Sequence, residues 1–282
     1  MNQRILTSIL LIPLLFFALI SEIFLNVFML SIFFIIIIET NLYLSEDKKI
    51  YRVTIYFLLV VIYYFLNIFN FNNLIFYSLP VIIISFLSSL FLNILKLRAD
   101  NHKDIKAPQY PLIQKNGAYI FILRESSTLF YLSGISTVFY LYESVSDLKW
   151  ILIPLMTVFF VDTFSYIFGS IFGKKKIKLL SKISPNKTII GYLAGISFGF
   201  LAFIISNLIL GSIVKSALFM VIISILFPIM AIFGDLYASS IKRNFGLKNY
   251  GNIFPGHGGL LDRLDSVILV LTCMTIVKVV IV

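Results

Sequence analysis

The stretch "SALFMVIISILFPIMAIFGDLYASSIKR", from Ser216 to Arg243, decides the fold. Residues 216 to 234 form an apolar run long enough to cross roughly 30 Å of hydrocarbon as a helix, and lipid offers no partner to an open backbone. The run gives way to Gly234 and Asp235, then to Ser239, Lys242 and Arg243. If the helix persists beyond its apolar part, Asp235, Ser239 and Lys242 stand at i, i+4 and i+7 on one face, with Arg243 at its edge. A solvated helix end would carry the cations, but it has little reason to bring an aspartate into line with them.

Similar apolar stretches lie at about 5 to 21, 24 to 43, 51 to 69, 73 to 95, 127 to 142, 148 to 170, 188 to 212 and 264 to 282, giving about nine candidate spans. The composition agrees, with 60% of the 282 residues hydrophobic and 13% charged, far from a soluble balance. None of the stretches alternates as a membrane barrel strand does. The expected fold is therefore all-α and polytopic. The first stretch lacks a small-x-small cleavage site and is read as a retained anchor.

Of the 23 Lys and Arg residues, all but Lys149, Lys215 and Lys278 fall on one side of this arrangement. The positive-inside rule then places the amino terminus in the cytoplasm. The net charge of +10 is mostly the rim of that face, which attracts anionic headgroups and nucleotides. Nothing in the pattern suggests nucleic-acid binding. The lone Cys273 lies inside the last span, so there is no disulfide framework and no thiolate metal site.

No internal repeat or linker divides the chain, which is expected to be one folding unit. Its character changes near residue 150. Residues 1–149 hold about five spans and few polar groups outside loops; the segment 96–126 reads as a basic, solvated connection. Residues 150–282 hold about four spans with specific polar loops, and form the expected catalytic region.

Acidic residues number only 13, so each position carries weight. Asp162 is embedded in the sixth span and Asp235 ends the eighth. An ionised carboxylate at such depth costs about 2.5 to 3.5 kcal/mol at a helix centre unless a cavity, cation or partner receives it. For Asp162 an interhelical hydrogen bond or ion pair is the plainer alternative. Asp262 and Asp265 are three apart and project from one side of the first turn of the last helix. With Asp235 they form an oxygen-rich set suited to Mg²⁺, which takes a few carboxylates and completes its shell with water and substrate phosphate.

Just upstream, Gly256, Gly258 and Gly259 surround His257, giving backbone that can approach an anion closely. Lys242, Arg243, Lys248 and Arg263 supply positive charge. Earlier in the chain, Ser184, Lys187 and Thr188 of "SPNKT" stand at a helix start, where N–H groups and a point charge bind anions. Singly these features are weak: a glycine cluster is commonly a turn, a histidine an ordinary hydrogen-bonding residue, and the Lys174 to Lys176 run a topology signal. Together they describe a phosphate and metal site at a membrane surface.

The stretch from Ser239 to Asp265, "SSIKRNFGLKNYGNIFPGHGGLLDRLD", resembles the signature of the phosphatidate cytidylyltransferases, or CDP-diacylglycerol synthases. A looser likeness runs over 150–282, through Asp162, Tyr166, Gly169, "FGKKK", "SPNKT" and "GDL". Three positions depart from the usual pattern: Asn249 and Ala238 stand where acids are common, as does Ile190. The resemblance implies transfer of CMP from CTP to phosphatidic acid, yielding CDP-diacylglycerol and pyrophosphate in phospholipid synthesis at the cytoplasmic face of an inner membrane. It implies Mg²⁺ on Asp235, Asp262 and Asp265, with a monovalent cation as an open addition. Ser239 would be a ligand or phosphate contact; Ser184, Lys187, Thr188, Lys242, Arg243, Lys248, Arg263, Gly258 and Gly259 would hold phosphates. His257 is either a phosphate contact or a proton carrier, and Asp162 an ordering residue or second metal ligand. Membrane lipids are expected partners, and a homodimer is compatible with the family.

Three alternatives stay open. Other CTP-dependent lipid cytidylyltransferases and kinases use a different acceptor or release CDP. A degenerate, non-catalytic paralogue would account for the three departures. A cation-coupled transporter would need polar residues in mid-helix in two matching halves, whereas here they gather at one face and in one half.

Overall fold

The computed structural model describes residues 22–41, 52–60, 81–88, 91, 117–142, 148–173, 183–185, 187–214, 216–251, 253 and 258–281. Among them the regular elements are six α-helices: α1 (Glu22–Asn41), α2 (Gly117–Leu141), α3 (Lys149–Phe172), α4 (Ile189–Leu210), α5 (Ala217–Asn244) and α6 (Leu261–Ile281). Residues 52–60 and 81–88 are also helical. Five helices are long and apolar enough to cross a membrane: α1 over Phe24–Asn41, and the whole of α3, α4, α5 and α6. Among the described residues the regular structure is all helical, and the chain is a polytopic membrane protein.

Exposed side chains agree with that solvent. Leu208 and Ile209 on α4 and Leu218 on α5 are 74%, 75% and 74% exposed. In water such faces would aggregate; in hydrocarbon they are simply solvated.

One expectation changes at a helix end and another is met. The connection expected over 96–126 is helical from Gly117, so α2 begins well before the apolar part of its sequence. Its polar residues are compensated inside the fold: the Glu125 carboxylate accepts from both the Arg52 guanidinium and the Tyr56 hydroxyl, and Arg52 lies 4.6 Å from the Phe121 ring centroid. α5 does run past its apolar part to Asn244, which puts Asp235, Ser239 and Lys242 at i, i+4 and i+7 of one helix. The span expected at 5–21 lies outside the described residues, as do parts of those at 51–69 and 73–95.

The chain forms two compact units. One comprises Met1–Ser133 with Ile241–Arg263, the other Gly134–Ser240 with Leu264–Val282. In the second, α3 and α4 pack closely through glycines spaced by four. A Cβ added to Gly191 would lie 2.7 Å from the Ser165 carbonyl oxygen, and one on Gly195 would lie 3.1 Å from that of Val161. Gly199 is hemmed in by Val161 and Pro228, and Phe164 stacks on Phe198 with centroids 3.8 Å apart. Small residues let helix backbones approach where no hydrophobic force operates between lipid-solvated helices. Gly234 does the same for α5 and α6: a Cβ there would lie 2.8 Å from the Asp265 carbonyl oxygen and 3.0 Å from Ser266 Cα.

Candidate active site

In the first unit the polar constellation is organised by Asp262, in the first turn of α6. Its Oδ1 accepts from Lys242 Nζ at 2.7 Å. Its Oδ2 accepts from the backbone N–H of Tyr250 at 2.9 Å and of Gly259 at 3.0 Å. The two side chains are 9% and 8% exposed. Three donors around a buried carboxylate, one of them an ammonium, fix its direction.

Local sequence explains how Lys242 arrives there. α5 ends at Asn244 and is closed by Gly246, whose φ of +71° suits glycine. Leu247 N–H donates to the Lys242 carbonyl at 2.8 Å and Gly246 N–H to that of Arg243 at 3.0 Å, which is the Schellman closure of a helix. Arg243 also donates to the Leu247 carbonyl at 2.6 Å. The chain is thereby turned back so that Tyr250 N–H meets Asp262. The Tyr250 ring lies 5.4 Å from Lys242 Nζ, and its hydroxyl pairs with that of Tyr131 at 3.0 Å.

Gly258 has φ +88°, and a Cβ on it would lie 3.1 Å from Asp262 Oδ2 and 3.4 Å from Asn249 Cγ. Its left-handed backbone therefore turns directly against the carboxylate. Asn249, one of the departures, thus borders this turn; an aspartate in its place would add a like charge beside Asp262. Lys248, Arg243 and Arg263 are exposed. His257 and Gly256 lie outside the described residues.

Sequence reasoning missed Glu39 of α1. This carboxylate is 0% exposed and accepts from Leu260 N–H through Oε1 and from Leu261 N–H through Oε2, both at 2.8 Å. It satisfies donors that every helix leaves open at its amino end. The available signal was an acid one turn from the end of an apolar span.

In the second unit, Lys187 forms an ion pair with Asp235, their side chains 30% and 19% exposed. Lys187 Nζ also lies 5.8 Å from the Tyr192 ring centroid. Thr188 is the N-cap of α4, its hydroxyl accepting from Gly191 N–H at 3.2 Å, and Lys187 N–H donates to the Ser184 carbonyl at 3.4 Å. Asp265 is buried, and its Oδ1 accepts from Ser266 N–H at 2.8 Å. Ser239 is buried as well. Asp162 is exposed on α3.

The expected metal set can be tested on these contacts. All three candidate ligands are carboxylates, the donor chemistry that Mg²⁺ selects. Two of them are already neutralised by lysines. Among the described residues no group of three or more His, Cys, Asp or Glu side chains is gathered to hold a metal ion. Each of these carboxylates is of the donor type that a hard cation such as Mg²⁺ takes.

Comparison with known proteins supplies the context. The chain is 39% identical over 136 residues to the phosphatidate cytidylyltransferase of Staphylococcus epidermidis, a match covering 48% of this chain and 51% of that one. The enzymes of the same name from Staphylococcus saprophyticus and Staphylococcus aureus are 39% and 38% identical over 52% and 51% of their lengths. The chain thus spans about half the length of the curated relatives it matches. The model of the cytidylyltransferase family matches residues 2–281, and to that family the chain belongs.

Proposed function

We propose that the protein transfers CMP from CTP to phosphatidic acid, releasing pyrophosphate and forming CDP-diacylglycerol. The observation that carries this reading is the buried Lys242–Asp262 pair, whose carboxylate also accepts from the backbone N–H groups of Tyr250 and Gly259. The names borne by its Staphylococcus relatives support the same reaction. An oxygen of the lipid phosphate attacks the α-phosphorus of CTP, and the bond to the bridging oxygen of the leaving pyrophosphate breaks with its electron pair. No covalent enzyme intermediate is required.

The chain's task is positioning and charge. Lys187, Lys242, Arg243, Lys248 and Arg263 would neutralise the triphosphate and the lipid phosphate, with Ser184, Thr188, Gly258 and Gly259 offering hydroxyl and backbone contacts. Asp262 fixes the direction of the Lys242 ammonium, while Lys187 can exchange Asp235 for a phosphate. Mg²⁺ held by Asp235, Asp262 and Asp265, with Ser239 nearby, would offset charge on the α-phosphate and the leaving group. The positive-inside count supports about nine spans, a cytoplasmic amino terminus and chemistry at the cytoplasmic face of a bacterial inner membrane.

The test is pyrophosphate release from CTP by the purified full chain in mixed phosphatidate micelles with Mg²⁺, beside Asp262→Asn with its thermal unfolding measured in parallel. Release that requires phosphatidate and is lost in a folded variant is the expected result. CDP in place of pyrophosphate would identify a lipid kinase, and release independent of phosphatidate another acceptor. A well-folded wild-type chain that releases nothing would overturn the enzyme reading in favour of a non-catalytic paralogue.

A further inference from the structure

The buried Glu39 carboxylate belongs to no catalytic motif, yet it touches the segment that builds the Asp262 seat. Its two oxygens accept from consecutive N–H groups, Leu260 and Leu261, at 2.8 Å each. Gly259, immediately before them, donates its own N–H to Asp262 Oδ2. Glu39 and Asp262 thus grip adjoining peptide groups of one short strand of backbone: the first fixes where α6 begins, the second where its carboxylate points.

Two glycines explain why this arrangement fits. A Cβ on Gly259 would lie 2.5 Å from Glu39 Oε1 and 2.8 Å from its Cδ, and one on Gly251 would lie 2.8 Å from the same Oε1. The bare Cα of Gly259 faces a carboxylate of the chain itself. A side chain at either position would force Glu39 away from the α6 amino end.

We infer that Glu39 is a positioning residue for the nucleotidyl-transfer site: it caps α6 and sets the 258–262 segment so that Asp262 holds Lys242 in the reactive direction. The inference rests on the transferase reading given above. Both Glu39 oxygens are taken up by the amino end of α6, so its loss should reduce turnover more than nucleotide affinity.

The experiment uses the full chain in phosphatidate micelles with four variants: Glu39→Gln, Glu39→Ala, Gly259→Ala, and Glu39→Ala with Gly259→Ala. Gln keeps one acceptor and presents an NH₂ group to the second N–H. Expected is a fall in kcat of at least about tenfold for Glu39→Gln, with KM for CTP within about threefold of wild type. Gly259→Ala should also be impaired, and the double variant should be no worse than Glu39→Ala alone, since both changes act through the same space. Hydrogen exchange at the Leu260 and Leu261 amides, measured on the same samples, should accelerate in Glu39→Gln. Wild-type kcat in Glu39→Gln, losses that simply multiply in the double variant, or unchanged exchange at those amides would each overturn the inference. If the alanine variants fail to fold, the glutamine variant and its exchange pattern decide. If the wild type releases no pyrophosphate, the transferase reading falls, whereas amide exchange still reports whether Glu39 caps α6.

Discussion

Two lysine–aspartate pairs distinguish the two units. Lys242–Asp262 is buried and its carboxylate also receives two backbone N–H groups. Lys187–Asp235 is more open, with side chains 30% and 19% exposed. The first pair is fixed by backbone as well as by charge, so its geometry is part of the fold. The second is joined through a flexible ammonium stem and can trade partners. On the transferase reading, the first would hold its ammonium in place and the second would exchange its carboxylate for a phosphate.

Replacing Asp262 should break the distinction most completely. Asp262→Asn leaves a buried ammonium without its counter-ion, and is expected to lower pyrophosphate release on the order of a thousandfold and stability by about 3 kcal/mol. Release assays and thermal unfolding in one detergent would read both. Asp235→Asn should separate function from stability: turnover falls about a hundredfold, while stability changes by less than about 1 kcal/mol because the pair is partly solvated. Equal destabilisation by the two substitutions would remove the contrast.

Gly258→Ala probes whether the backbone seat matters apart from charge. With φ +88° and Asp262 Oδ2 within 3.1 Å of the added Cβ, it should cost about 1 kcal/mol and lower kcat about tenfold. The smallest effect is expected from Tyr131→Phe. Loss of its hydroxyl contact to Tyr250 should cost about 1 kcal/mol and leave kcat within about twofold of wild type, checked by the same two measurements.

Much of this was legible in the sequence because lipid simplifies the reading. The apolar run after Ser216 reads as helix in lipid, and the register of Asp235, Ser239 and Lys242 gave a single polar face if that helix outlasted the run, as α5 does to Asn244. The turn at Gly246 and the N-cap Thr188 follow from residue types with strong local preferences. Long-range compensation was not legible. Arg124 and Glu125 looked like loop because their charges seem unsuited to a span, yet Arg52 and Tyr56, distant in sequence, receive Glu125. The spacing of Gly191, Gly195 and Gly199 was visible as a pattern, but only the neighbouring backbone of α3 gives it meaning. Glu39 was the largest omission, since an acid near the end of a span resembles a rim charge until the far end of the chain is brought to it.

That distance has a consequence for how the protein is made. Glu39 enters the membrane early, while its partners Leu260 and Leu261 are 221 and 222 residues further along. At about 5 to 20 residues per second, translation leaves the carboxylate waiting roughly ten to forty seconds. Until then the nascent chain carries an uncapped acid, a mark that distinguishes unfinished molecules from finished ones. Chains terminated before Gly259 are expected to be degraded faster than full-length chains in a pulse-chase experiment, and Glu39→Leu should narrow that difference.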